Sequence, residues 1–146
     1  MKKEIIILGS TGSIGKTLIN ILTKDKKNIK IVLLTANKNI KELLKQVNIF
    51  KVDNIIVTNN TQFLKIKKIL KNKKINIYNN FDSIKKILKN KTVDYTMNAV
   101  AGLDGLSPTL KIIKFTKDIA IANKEAIICG WNLIKKELKK NNTRFI

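Results

Sequence analysis

Histidine is absent from the 146-residue sequence, and cysteine, proline and arginine each occur once. A single cysteine, Cys129, excludes an internal disulfide and fits a reducing compartment, so we expect a cytoplasmic protein. Because no histidine is present to activate its thiol, Cys129 is predicted to be a core residue of the last helix.

Acidic and aromatic residues are also scarce. The chain has ten acidic and thirty basic residues, which gives a formal net charge of +20, and aromatic residues make up only 5% of it. Such a charge attracts polyanions. However, the lysines are spread along the chain, only Arg144 is an arginine, and no aromatic residues alternate with the basic ones. We therefore expect no specific nucleic-acid partner, and keep a basic nucleic-acid-binding α/β module without enzymatic activity as the alternative function.

Long apolar runs are missing as well. None approaches the roughly 20 residues that a membrane-spanning helix needs, so no membrane partner is expected. The basic start is followed by only four apolar residues, 5–8, and no small-residue cleavage site, so a signal peptide is not expected. A hydrophobic content of 44% over 146 residues fits one globular domain with a buried core.

A glycine-rich turn follows the first apolar segment. Three of the four residues 5–8 are β-branched, which predicts a short buried strand, and the apolar residues of 16–22 recur at helical spacing. A strand, a glycine turn and a helix in this order place the unpaired N–H groups of a helix N-terminus where they can bind a phosphate. We assign Gly9 to the tight turn, Gly12 to the close approach of a ligand and Gly15 to close packing of the helix.

Two other classes share part of this turn. Residues 15–17 imitate the Gly-Lys-Thr end of a P-loop, but that motif needs glycine five residues before Gly15, where the chain has Ser10. Short-chain dehydrogenases need Tyr-x-x-x-Lys, and neither Tyr78 nor Tyr95 is followed by lysine four residues later. The turn therefore favours dinucleotide binding.

Apolar strand-like segments alternate with amphipathic helical segments along the whole chain. This alternation predicts an α/β fold over residues 1–146, a Rossmann-like doubly wound, mainly parallel sheet with helices on both faces. Ser107 is predicted to cap a helix that has Pro108 as its first residue. Strands are expected near residues 5–8, 30–35, 54–57, 75–78, 95–100, 119–122 and 143–146.

The end of the second strand distinguishes between nicotinamide cofactors. A site for NAD usually has an acidic residue there, roughly 20 residues past the glycines, to bind the ribose 2′-hydroxyl. Here the chain has Asn37, Lys38 and Asn39 and no acid. Lys38 is suited to pair with a 2′-phosphate, so NADP is preferred over NAD.

The end of the sixth strand carries a second polar group. Asn123 is predicted to cap the last helix, and Glu125 in its first turn suits the helix dipole. The positive charge of Lys124 is unfavourable at a helix N-terminus, which is the positive end of the helix dipole. A lysine placed against the local field, at the strand end where ligands bind, is a candidate ligand-binding residue.

Together, the segments 9–18, 36–39 and 122–125, with 102–110, resemble the 1-deoxy-D-xylulose 5-phosphate reductoisomerase family over essentially the whole chain. The resemblance implies an NADPH site and part of a site for a sugar-phosphate substrate. Lys124 would bind the substrate. The cofactor-binding residues would be Thr11, Gly12, Ser13, Ile14, Asn37, Lys38, Asn39, Asn123 and Glu125.

The family uses a divalent metal, magnesium or manganese, to rearrange its substrate and then reduces the product with NADPH. Its metal ligands come from an Asp-Ser-Glu segment that would follow Ile146, and no carboxylate cluster in this chain replaces them. We therefore expect an amino-terminal cofactor domain that has no catalytic or metal-binding residue of its own and does not turn over alone. The full-length enzyme is expected to be a homodimer.

Overall fold

Seven parallel strands form one sheet in the computed structural model, which describes all of residues 1–146. The strand order is β4-β3-β2-β1-β5-β6-β7, and every pairing is parallel. The strands are β1 Lys3–Leu8, β2 Ile29–Ala36, β3 Asn54–Val57, β4 Asn76–Tyr78, β5 Val93–Asn98, β6 Thr116–Ile121 and β7 Arg144–Phe145.

Six α-helices connect the strands, and asparagine side chains cap three of them. Asn39, Asn59 and Asn123 each accept a hydrogen bond from the amide three residues later, which satisfies a free N–H of the first turn. The helices are α1 Ser13–Thr23, α2 Ile40–Phe50, α3 Asn60–Ile69, α4 Ser83–Leu88, α5 Leu106–Ile112 and α6 Lys124–Asn141. Short 3-10 helices span Lys26–Asn28, Leu103–Gly105 and Ile113–Phe115.

The sheet has a separate apolar layer on each face. Because side chains alternate along a strand, Ile5 and Ile7 of β1 join one layer while Ile6 and Leu8 join the other. The first layer also contains buried residues of α1, α2 and α3, and the second contains those of α4, α5 and α6. This confirms the predicted doubly wound sheet with helices on both faces. No helix has the length and apolar character that a membrane span requires.

Two local predictions were wrong. Cys129 is exposed, because α6 buries the side formed by Ala126, Gly130, Ile134 and Leu138, and Cys129 points away from that side. Helix α5 begins at Leu106 rather than at Pro108. Proline is tolerated at the third helical position because the first-turn N–H groups have no partner inside the helix.

Ion pairs link the amino-terminal halves of neighbouring strands. Lys117 and the Glu4 amide both donate to Asp94, at 2.7 and 2.9 Å, and these bonds lower the pKa of that carboxyl. Two bonds from Arg144 do the same for the pKa of Asp118. All four strands involved, β1, β5, β6 and β7, begin at this edge of the sheet. These charges therefore lie opposite the carboxyl ends of the strands, where ligands of α/β proteins bind.

Candidate functional site

A groove of about 640 Å³ lies beyond the carboxyl ends of β1, β2, β3 and β5. β1 is central, with β2 on one side and β5 on the other, so the chain reverses the direction in which it adds strands at this point. Ligands of open parallel sheets bind at such a switch point. The lining residues are Gly9, Thr11, Gly12, Thr35, Ala36, Asn37, Thr58, Phe81, Ala99, Val100, Ala101, Leu103, Asp104, Ser107 and Pro108.

The three glycines of the turn meet different surroundings. Gly9 has a φ of +73°, and a Cβ there would lie 2.8 Å from the backbone of Ala99. A Cβ on Gly15 would lie 2.5 Å from the Gly9 carbonyl oxygen. On Gly12 a Cβ would meet nothing closer than 3.5 Å. The fold itself therefore requires glycine at positions 9 and 15, whereas Gly12 leaves open space on an exposed edge of the groove.

Three amides of this turn and of the helix start that follows it are free to bind a ligand. Thr11, Ser13 and Ile14 donate no backbone hydrogen bond, and the first bond of the α1 start runs from Lys16 N to Gly12 O. No acidic residue occupies the first turn of α1. Unpaired N–H groups at the positive end of a helix dipole favour a phosphate. The residues present therefore fit the pyrophosphate of a dinucleotide.

Strand β2 holds the turn in place through Thr35. The Thr35 hydroxyl oxygen accepts a bond from the Gly9 amide at 2.8 Å, and the Thr35 carbonyl accepts one from the Ser10 amide at 2.9 Å. The Ser10 hydroxyl donates to the same carbonyl. Both Thr35 and Ser10 are buried. The shape of the turn is thus fixed by the neighbouring strand as well as by its glycines.

The predicted adenosine side begins where β2 ends. Asn37 lines the groove, and Asn37, Lys38 and Asn39 are all exposed. The Asn39 side-chain oxygen caps α2 by accepting from the Glu42 amide at 3.1 Å. Lys38 belongs to none of the ion pairs in the chain, so its ammonium group is free to meet an anion at this end of the groove.

The far wall of the groove, residues 99–105, is held by two buried asparagines. Asn98 donates to the Gly105 carbonyl at 2.8 Å and accepts from the Val100 amide at 3.1 Å. Asn123 donates to the carbonyls of Val100 and Gly102 and accepts from the Ala126 amide at 2.7 Å. Since every polar atom of the Asn123 side chain is engaged, this residue shapes the wall of the groove.

The structure brings only part of the predicted set together. Thr11, Gly12 and Asn37 line the groove, and Ser13 and Ile14 form the exposed first turn of α1 beside it. The remaining predicted residues are not in the lining: Lys38, Asn39, Asn123, Lys124 and Glu125. Of these, exposed Lys124 and Glu125 begin α6, directly after β6.

Reasoning from the sequence missed the residues that hold the site. Thr35 and Asn98 are buried polar residues near the carboxyl ends of β2 and β5, and Gln46 is a polar residue on the buried side of α2. A polar residue at an inward position is the signal that could have identified each of them, since burying one requires a hydrogen-bond partner.

The residues present do not fit a divalent metal. No group of three or more His, Cys, Asp or Glu side chains is placed to hold a metal ion. Asp104 is the only acid that lines the groove, and a single carboxylate is too few for the oxygen-rich shell of magnesium.

A parallel sheet with a groove at its switch point and a glycine turn of free amides defines a Rossmann-type domain. A family model described as 1-deoxy-D-xylulose 5-phosphate reductoisomerase matches residues 5–130. The chain belongs to this family, as its resemblance to the family predicted.

Relatives support the same assignment. The chain is 61% identical over 145 residues to 1-deoxy-D-xylulose 5-phosphate reductoisomerase of Pelagibacter ubique, which covers 99% of this chain and 37% of that protein. Identity to the enzyme of the same name from Clostridium kluyveri is 37%, over 97% of this chain and 37% of the relative. The chain thus spans a little over a third of the length of these relatives.

Solved structures have the same fold. The reductoisomerase of Zymomonas mobilis in complex with NADPH superposes with a TM-score of 0.90 at 24% identity, over 100% of this chain and 38% of that one. A reductoisomerase in complex with NADPH, fosmidomycin and magnesium gives 0.88 at 26% identity, over 98% of this chain and 35% of that one.

Proposed function

We propose that residues 1–146 form the NADPH-binding domain of a 1-deoxy-D-xylulose 5-phosphate reductoisomerase. The observation that carries this proposal is the turn of free amides at Thr11, Ser13 and Ile14, with open space at Gly12, facing the switch-point groove. The structural relatives described as NADPH complexes support the choice of ligand. The nucleic-acid alternative rests on net charge alone.

Each predicted residue has a role under this proposal. Thr11, Gly12, Ser13 and Ile14 contact the pyrophosphate and adjoining ribose through the turn and the first turn of α1. Asn37, Lys38 and Asn39 surround the 2′-phosphate, with Lys38 supplying the charge. Asn123, which also holds the far wall through its bonds to the loop, and Glu125 contact NADPH from the start of α6.

In the complete enzyme the reaction converts 1-deoxy-D-xylulose 5-phosphate to 2-C-methyl-D-erythritol 4-phosphate, a step of the non-mevalonate isoprenoid pathway. NADPH supplies the hydride, and the chain contributes binding and orientation of the cofactor. Lys124, exposed at the start of α6, binds the sugar-phosphate substrate. We further propose that these 146 residues have no turnover alone, and that the full enzyme is a cytoplasmic homodimer.

The test is a fluorescence titration of the purified chain with NADPH and with NADH. We expect tighter binding of NADPH, because the second-strand end offers a lysine and no acid. Lys38→Asp should weaken NADPH binding about tenfold to a hundredfold, the loss expected for a charged hydrogen bond, and change NADH binding little.

Lys71→Asp is the matched control. Lys71 is exposed just beyond α3, at the end of that helix away from the groove, and its substitution changes the net charge by the same amount. A general effect of charge would weaken NADPH equally in both variants and would remove Lys38 from the 2′-phosphate site. Absence of NADPH binding by the unmodified chain would overturn the proposed function.

A further inference from the structure

Gln46 is a fully buried polar residue on the inward side of α2, between the apolar neighbours Leu43 and Val47. Its side-chain nitrogen donates to the carbonyl oxygen of Ser10 at 3.0 Å and to Glu42 Oε1 at 3.3 Å. Both partners are oxygen acceptors, so the NH₂ group of the Gln46 side chain, and not its oxygen, must face them. The glutamine therefore ties helix α2 to the glycine turn.

The other end of this side chain has no partner. Gln46 Oε1 is buried and makes no hydrogen bond. A buried acceptor without a partner destabilises the fold, and an apolar side chain of similar size would avoid that cost. Stability alone therefore does not explain a glutamine here, and the reason must lie in the bond to Ser10.

That bond sets the direction of the next amide. The peptide unit between Ser10 and Thr11 is planar and trans, so its C=O and N–H point in opposite directions. Because the Ser10 carbonyl points to α2, the Thr11 N–H points away from α2. Thr11 lines the groove, and its amide donates no backbone hydrogen bond.

We propose that Gln46 is a positioning residue for cofactor binding: it holds the Ser10 carbonyl against α2 and thereby aims the Thr11 amide at the pyrophosphate. The inference rests on the proposed NADPH function and deepens it. Gln46 does not touch the ligand. Without the Gln46 donor, the peptide unit between Ser10 and Thr11 loses the bond that holds its carbonyl toward α2, and the direction of the Thr11 amide is less tightly fixed.

The experiment replaces Gln46 by methionine in the full chain. Gln46→Met keeps the length of the side chain and removes both the donor and the unpartnered oxygen. We expect the NADPH dissociation constant to rise about tenfold, the loss of one oriented hydrogen bond. We expect the thermal midpoint to stay equal or rise, and the binding of adenosine 2′-monophosphate, which has no pyrophosphate, to stay unchanged.

Gln62→Met is the matched control, because Gln62 lies on α3 and is the only other glutamine in the chain. The amide NMR signal of Thr11 in the ligand-free protein gives a second readout: it should shift in Gln46→Met and not in Gln62→Met.

Equal NADPH binding by Gln46→Met and the unmodified chain would overturn the inference about Gln46 and leave the proposed function intact. Parallel weakening of NADPH and adenosine 2′-monophosphate with a lower midpoint would also overturn it, since that is a structural defect. Failure of the unmodified chain to bind NADPH would overturn the proposed function as well.

Discussion

At the scale of single residues, Gly12 and Gly15 serve different purposes although they lie three positions apart. Space for a Cβ is available at Gly12 and blocked at Gly15 by the backbone of Gly9 and Ser10. Only the second glycine is thus required by the chain's own packing. We propose that Gly12 serves the close approach of a ligand.

Alanine at each position separates binding from folding. Gly12→Ala should leave the free energy of unfolding within about 0.5 kcal/mol, because a poorer cap is offset by a stiffer unfolded chain. It should raise the NADPH dissociation constant about tenfold or more, since the new methyl group meets the pyrophosphate. Gly15→Ala should cost about 1–3 kcal/mol through overpacking against backbone. Urea unfolding and NADPH titration measure both; a large loss of stability in Gly12→Ala would contradict the assignment.

At the scale of elements, the start of α6 is tied to the groove wall more tightly than a capped helix needs. Asn123 caps the helix and also donates to two carbonyls of the loop after β5. Asn59 performs only the capping bond, to the Gln62 amide at 3.0 Å. The two asparagines therefore provide a comparison between a cap alone and a cap that also holds a loop.

Asn59→Ala should cost about 1 kcal/mol, the usual loss for an N-cap. Asn123→Ala should cost about 2–3 kcal/mol, because it also leaves the carbonyls of Val100 and Gly102 without their donor. Urea unfolding of the two variants measures the difference. Equal losses of unfolding free energy in the two variants would show that the bonds from Asn123 to the loop add nothing to stability. Asn123 would then stabilise the fold only as a helix cap.

The elements themselves could be predicted because each has a local signal. Residues 5–8 and 55–57 are short apolar runs, and Asn39 and Asn59 precede amphipathic helices. The start of α5 at Leu106 could not be predicted, because Gly105, its capping residue, provides no side-chain bond and Ser107-Pro108 is the stronger local pattern. The exposure of Cys129 depends on which side of α6 packs against the sheet, and that is decided by tertiary contacts.

At the scale of the whole molecule, the groove results from strand order. The sequence of residues 9–15 predicts a phosphate-binding turn. The opposite wall of the groove is formed by residues 99–105, about ninety positions later in the chain. The two segments meet because β5 pairs with β1. The hydrogen bonds of Thr35 and Gln46 to the turn likewise depend on the packing of β2 and α2 beside β1. Contacts between distant residues have no sequence pattern, so the shell that supports the site could not be predicted although the turn itself could.

The charges on the opposite edge of the sheet make the fold sensitive to acid. The Lys117 side chain and the Glu4 amide lower the pKa of Asp94 in the folded protein below its ordinary value of 3.8. A lowered folded-state pKa adds stability above the unfolded-state pKa, and that stability is lost as the pH falls through the folded-state value. Protonation of the ten acids also leaves the positive charge of thirty basic residues unopposed.

Asp94→Asn should therefore be less stable than the unmodified chain near neutral pH, by on the order of 0.5 kcal/mol, since the pair with Lys117 is partly exposed. The difference should shrink to zero once the pH is below the folded-state pKa, because the unmodified chain has then lost the same charge. Urea unfolding of both proteins across the acid range measures this convergence. Asp53→Asn, at an exposed acid just before β3 that forms no ion pair, is the control for the loss of one carboxylate, and near neutral pH it should change the stability less than Asp94→Asn does. A gap between Asp94→Asn and the unmodified chain that stays constant into acid would show that the bonds of Asp94 stabilise the fold without its charge.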